Sequence, residues 1–170
     1  MRERNTAGFS MIELIVVLAV AMLLTAIGLA SYSGMRSNRE QQAAVQRVVS
    51  TLSAARQTAI ATNGRYQVSF LPATKGFWVD ELDSSGNVVR QQITNPGALP
   101  EFMSFESITV EGVTPTAGSA QIRFWPDGHS DSATIYLVRT PPDPAAGANV
   151  STIKIFGPTG MAQSFVGERR

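Results

Sequence analysis

The sequence contains no cysteine and a single histidine in 170 residues. Disulfides, thiolate nucleophiles and cysteine-ligated zinc are therefore excluded. An oxidising compartment permits disulfides without demanding them, so their absence excludes no location. It does mean that any globular part is held by its apolar core alone. An excess of one charge is also missing, since 14 Lys and Arg stand against 13 Asp and Glu. A strongly basic chain would point to nucleic acid, and this balance does not. There is no glycine-rich phosphate loop, no coiled-coil heptad pattern and no internal repeat. The length suffices for a membrane helix and one modest globular domain.

What is present begins with a polar leader, Met1 to Gly8, carrying Arg2, Glu3 and Arg4. Phe9-Ser10-Met11-Ile12-Glu13 follows, and apolar residues continue almost unbroken to about Ala30. A run of this length can span a bilayer as a helix. Arg2 and Arg4 in front of it put the leader in the cytoplasm and the C-terminal part across the membrane, by the positive-inside rule. Glu13 lies inside the run. A carboxylate at a helix centre costs roughly 2.5–3.5 kcal/mol on insertion scales, so Glu13 reads as functional and in need of a partner. The plain alternative is a signal anchor that tolerates an acid near the interface, where the cost is smaller. A secretory signal peptide would place small residues after its apolar core, a pattern that Ala26, Ala30 and Ser31 imitate only loosely.

After a soft spot at Tyr32-Ser33-Gly34, Met35 to Thr62 reads as helix again. Val45, Val48, Leu52, Ala55 and Ala59 recur at three- and four-residue spacing, with Val49 beside them. Arg36, Arg39, Glu40, Arg47 and Arg56 fall largely off that stripe. Asn63-Gly64 is a stop, because both tolerate the left-handed conformation of a C-cap. The two halves make one helix of roughly 50 residues, on the order of 75 Å at 1.5 Å per residue. An apolar half followed by an amphipathic half describes a helix that leaves a membrane and lays one face on a globular domain.

Beyond Gly64 the pattern becomes that of strands. Tyr66, Val68 and Phe70 alternate with polar residues, and Phe77-Trp78-Val79 follows. Asp83 to Asn87 is a turn into Val88 to Ile93, which makes a hairpin. Pro96-Gly97 and Pro100 break the chain. Strands then read at Ile108–Val110, Ile122–Trp125, Thr134–Val138, Thr152–Phe156 and Ala162–Val166, with a surface loop from Pro141 to Asn149. The expectation is an α+β fold, with the long helix packed on an antiparallel β-domain of about eight strands.

Two constellations invite chemistry. His129 lies in Asp127-Gly128-His129-Ser130-Asp131, and a triad or a calcium site of hard carboxylate oxygens suggests itself. Yet Pro126-Asp127-Gly128 is turn chemistry, and the spacing is not that of an EF-hand. The aromatics Phe77, Trp78, Phe102, Phe105, Phe124, Trp125, Phe156 and Phe165 fall mostly in strands, where core packing is the default. Stacking platforms for single strands would need interleaved cations, which only Arg123-Phe124-Trp125 approaches. No catalytic residue, metal or cofactor is expected.

Gly8-Phe9-Ser10, Glu13 at its fixed spacing and the apolar run resemble the type IV prepilin N-terminus. The resemblance implies cleavage by prepilin peptidase between Gly8 and Phe9, N-methylation of Phe9, and pairing of Glu13, the fifth mature residue, with the free amine of a neighbouring subunit. Ile122 to Gly128, then Thr134 to Leu137, then Ile153 to Phe156 with Gly157 to Gly160, resemble the β-domain of GspH/FimT-type minor pilins. There a strand ends in a Phe-x-Pro-x-Gly turn and the last hairpin turns at a glycine; Arg56 and Ala59 also fit. A proline that many major pilins carry in the membrane helix would fall at Ala30 and is absent.

The resemblance implies a minor pseudopilin (H-type) of a type II secretion pseudopilus. The alternative is a FimT-type minor pilin of a type IV pilus that binds DNA for uptake in natural transformation. The DNA-binding members carry a Gly-Arg-x-Arg tail. Here Gly167-Glu168-Arg169-Arg170 puts an acid in place of the first arginine, leaving Arg169 and Arg170 as candidate DNA contacts. The implied division is a leader at 1–8, a membrane or filament-core half at 9–33, an amphipathic half at 34–63 and a periplasmic β-domain at 64–170. The implied setting is the bacterial inner membrane, crossed once. The implied partners are other pilins or pseudopilins in a filament, and prepilin peptidase.

Overall fold

The computed structural model describes residues 10–91, 96–115, 118–142 and 148–167, without the side chains of 26–37. Among the described residues one α-helix, a short 3-10 turn at Pro72–Thr74 and nine strands follow in chain order. Helix α1 (Met11–Thr62) is 52 residues long, about 78 Å at 1.5 Å per residue. It runs unbroken through Tyr32-Ser33-Gly34. It ends at Asn63, which adopts the left-handed C-cap conformation (φ 52°), and the Gly64 amide donates to the Ala59 carbonyl.

The strands form two antiparallel sheets. In the first, β1 (Arg65–Leu71) lies between β2 (Gly76–Leu82) and β6 (Ala120–Phe124); β3 (Val88–Arg90) and β4 (Gly97–Ala98) pair with β2. The second has the order β5-β7-β8-β9, with β5 at Met103–Val110, β7 at Ala133–Arg139, β8 at Val150–Phe156 and β9 at Met161–Val166. The core lies where the sheets meet the second half of α1. Val45, Val48, Leu52, Ala55 and Ala59 are buried there, beside Val68, Phe70, Ile122 and Phe124 of the first sheet and Ile135, Leu137 and Ile153 of the second. The expected helical stripe is the buried one. The β2–β3 turn is the expected Asp83–Asn87 segment. The Asp83 carboxylate accepts from the amides of Ser85 and Asn87, both at 2.8 Å, and the Asn87 contacts hold its pKa below the usual carboxylate range.

Three features depart from the sequence expectation. β4 occupies part of the stretch read as a break at Pro96-Gly97. It is two residues long and too short to show alternation, and its glycine is required because a Cβ at Gly97 would strike the Phe77 ring. β5 begins at Met103, upstream of Ile108, and a bulge between Phe105 and Ser107 interrupts its period of two. Finally, Gln67 and Ser69 are buried, although their alternation with Tyr66, Val68 and Phe70 marked them as solvent-facing. Register explains this. Gln67 lies opposite Asp80 and Ser69 opposite Trp78. Asp80 Oδ2 accepts from Ser69 Oγ (2.8 Å), Trp78 Nε1 (3.0 Å) and Gln67 Nε2 (3.3 Å). The network satisfies these buried polar groups, which would be costly unpaired.

The end of α1 is locked to two turns. The β6–β7 turn is closed by the Gly128 amide on the Trp125 carbonyl (3.0 Å), and Arg56 Nε donates to the Gly128 carbonyl (3.1 Å). The β8–β9 turn is closed by the Gly160 amide on the Phe156 carbonyl (2.7 Å). Gly160 has φ +61°, and a Cβ there would meet the Gly128 carbonyl oxygen and the Arg56 side chain. The two motif turns therefore interlock under Arg56, a half-buried residue that the helical stripe did not single out. Gly86 has φ +87° but open space around it, so the two glycines separate backbone strain from collision. Gly86→Ala is expected to cost about 1 kcal/mol for its positive φ. Gly160→Ala is expected to cost about 1–3 kcal/mol more through the displaced turn. Denaturant titration of the pair decides it, and equal costs would show that the turns do not interlock.

Candidate functional site

The first part of α1 is built unlike the second. From Met11 to Leu24 the large apolar side chains are 49–83% exposed. Leu14, Ile15, Val16, Val17 and Leu18 are consecutive, so every face of the helix is apolar and uncovered. Among the described residues, the buried residues of α1 begin at Gln41. An exposed apolar surface of this extent marks a place for lipid or another protein chain. Among the described residues no helix is long and apolar enough to cross a membrane. The described side chains of the run end at Thr25, while the run itself continues to about Ala30 in the sequence.

Glu13 sits in the first turn of this helix, its amide bonded to the Ser10 carbonyl at 3.0 Å. The carboxylate is exposed, flanked by apolar side chains, and has no partner among the described residues. An acid in a first turn complements the positive end of the helix dipole, and here it is also free to meet a cation brought by another chain. Gly8 and Phe9, the expected cleavage pair, and Arg169 and Arg170, the expected DNA contacts, lie outside the described residues.

The His129 loop has other employment. The His129 ring stacks on Trp125, with centroids 4.3 Å apart and planes 9° from parallel. Its Nδ1 meets Asp127 Oδ1, and that hydrogen bond holds the Asp127 carboxyl below the usual range. Asp131 turns the other way: its Oδ2 accepts from the backbone amide of Arg123 (2.9 Å) and from Arg123 Nε (3.0 Å). The two carboxylates that could have shared a calcium ion are thus committed to different neighbours. No group of three or more potential metal ligands occurs among the described residues. Arg123 also lies over Trp125, 5.6 Å from its centroid. The Arg123-Phe124-Trp125 segment is therefore a closed stack ending in an ion pair. Of the aromatics, Phe77, Phe105 and Phe124 are buried, Trp78, Phe102, Trp125 and Phe165 are half-buried, and Phe156 is exposed.

Sequence reasoning missed Gln41. It is 4% exposed, and its Nε2 donates to the Ala148 carbonyl (3.0 Å) and to Ser151 Oγ (3.1 Å). No signal in the helical pattern marks it, because its partners come from a loop and a strand more than a hundred residues away.

Comparison with known proteins places these features. The type II transport protein GspH family matches residues 44–161, and the prokaryotic N-terminal methylation motif matches residues 4–29. No curated protein sequence matches. Among solved structures, the minor pseudopilin EpsH from the type II secretion system of Vibrio cholerae superposes with TM-score 0.60 at 13% identity, over 79% of this chain and 99% of that one. The type IV minor pilin FimU of Pseudomonas aeruginosa gives TM-score 0.56 at 14% identity, over 79% and 95%. At such identities these likenesses establish the pilin-like fold. The helix-and-two-sheet architecture, the interlocked glycine turns and the methylation motif agree with the family match: the chain belongs to the GspH family of type II transport proteins.

Proposed function

We propose that this chain is an H-type minor pseudopilin, a structural subunit of a type II secretion pseudopilus and not an enzyme. One observation carries the reading. The helix of a GspH-family chain is closed on the β-domain from Gln41 onward and left apolar on every face from Leu14 to Leu24, with Glu13 just before. Such a helix is stored in a bilayer and then transferred to a bundle of like helices, since both surroundings cover apolar surface. In this reading residues 1–8 are the leader, 9–33 the membrane and filament-core half, 34–63 the amphipathic half and 64–170 the periplasmic domain. The chain resides in the inner membrane, crossing it once, and its partners are prepilin peptidase and other pseudopilins. DNA uptake through Arg169 and Arg170 ranks second, because the cation beside the Trp125 stack, Arg123, is already tied to Asp131.

Processing tests the leader assignment. Co-expression with prepilin peptidase is expected to yield a chain that starts at N-methylated Phe9 by mass spectrometry, and Gly8→Ala is expected to slow or abolish cleavage. An intact Met1 terminus in the presence of active peptidase would contradict it. Register tests Glu13. Glu13→Leu removes an insertion cost of roughly 2.5–3.5 kcal/mol or less, so membrane residence is expected to hold or improve. Incorporation into filaments is expected to fall because a neighbour's amine loses its partner. Equal incorporation of mutant and wild type, measured by filament pull-down, would make Glu13 a bystander.

A further inference from the structure

The β-domain has two ends along α1, and hydrogen bonds tell them apart. At the Thr62 end of the helix, Arg56 meets Gly128. At the other end, Gln41 Nε2 donates to the Ala148 carbonyl (3.0 Å). β1 runs back from Asn63 along the helix, so the β1–β2 turn at Lys75 lies at this second end. Hydrogen bonds continue across it. The Leu99 amide donates to the Lys75 carbonyl (2.9 Å) and Lys75 Nζ to the Glu101 carbonyl (2.6 Å). The Thr140 amide donates to the Phe102 carbonyl and the Arg139 amide to the Asn149 carbonyl, both at 2.9 Å.

This end carries Arg39, Lys75 and Arg139. Arg39 precedes Gln41 by two residues and is exposed, and its guanidinium has no partner among the described residues. The Lys75 ammonium has a neutral carbonyl for its acceptor. The Arg139 guanidinium lies over the Phe102 ring, 4.5 Å from its centroid. The acids beside them are Glu40 and Glu101, both exposed, so three cations against two acids leave an excess of one positive charge.

Length decides what lies against this end. The hydrocarbon core of a bilayer is about 30 Å thick, and the whole with its headgroup layers about 40–45 Å. Glu13 belongs at the boundary where the rod enters, because a carboxylate avoids the core. About 20 residues of helix from Leu14 span the core at 1.5 Å each, which puts the other boundary near Gly34. The headgroup layer there adds about 5–8 Å, or roughly four or five residues. Arg39 falls at that level, and Gln41 lies just above it.

We propose that the Arg39-Lys75-Arg139 end of the β-domain rests on the phosphate headgroups of the leaflet through which the rod emerges. The inference depends on the membrane reading given above. Cations at an anionic lipid surface are attracted to it within a Debye length, so the contact sets the depth of the rod while the subunit is stored.

A chain without cysteine permits single labels on the full protein in vesicles. Ala73→Cys marks the β1–β2 turn, Ser85→Cys the opposite end and Leu18→Cys the rod, each carrying a fluorophore. In phosphatidylglycerol vesicles with a headgroup-attached quencher, the label at 73 is expected to be quenched several-fold more than the label at 85. Arg39→Gln/Lys75→Asn/Arg139→Gln is expected to reduce that difference several-fold; asparagine suits the left-handed backbone of Lys75 (φ 58°). Raised salt, or phosphatidylcholine in place of phosphatidylglycerol, is expected to do the same to the unsubstituted chain. Equal quenching at the two ends would overturn the proposal, and so would quenching at 73 that ignores substitution, salt and lipid charge. The label at 18 separates this from failure of the membrane reading, since an acyl-chain quencher is expected to reach it. Quenching at 18 without quenching at 73 sinks the proposal alone, whereas no quenching at 18 sinks the membrane reading and the proposal with it.

Discussion

Burial of one helical stripe, Val45 to Ala59, against two sheets is the constraint on which the rest of the structure depends. No disulfide shares the task. Leu52 is fully buried in this stripe, and truncating such a side chain typically costs about 2–5 kcal/mol, a large fraction of what holds a small domain folded. The stripe narrows toward its end. Ala55 and Ala59, both small, are buried there. Between them Arg56 reaches the β6–β7 turn, and Gly128 and Gly160 meet beneath it. The motif glycines are thus explained by packing at a junction.

The same helix has no use for its first part within the folded domain. α1 rests on β1 and β9 and touches β2, β6 and β8, and among the described residues its buried ones lie from Gln41 onward. From Met11 to Leu24 the helix is an uncovered apolar rod, and its backbone continues without a break into the packed half. Rigidity matters, because an unbroken helix transmits the position of the β-domain to the rod and the reverse. In the proposed reading a filament subunit uses that coupling: the rod would find its neighbours in the core, and the β-domain would thereby be fixed at the surface.

Much of this was legible in the sequence for a physical reason. Long elements write their period many times. The helix, its buried stripe and its Asn63 stop are read from three- and four-residue spacing and from cap chemistry; the β2–β3 hairpin is read from its turn residues. What failed was information held in pairing between distant segments. Gln67 and Ser69 look solvent-facing in their own strand and become buried only because Asp80 and Trp78 stand opposite. Gln41 looks like any polar helix residue until Ala148 and Ser151 arrive. β4 carries too few residues to have a period at all. In the His129 loop the residue types suggested a metal or a triad, and only the directions of Asp127 and Asp131 separate them.

The division of α1 into a half that folds and a half that assembles is tested most directly by removing the second kind. A chain that begins at Met35 keeps the whole buried stripe and loses every exposed apolar residue of the run. It is expected to be monomeric in water without detergent, to keep the circular dichroism of a helix ending near Thr62, and to unfold cooperatively. A chain that instead aggregates, or that loses the helix and the β-domain together, would show that Met11 to Gly34 belongs to the fold itself and would contradict the assignment of that half to membrane and filament.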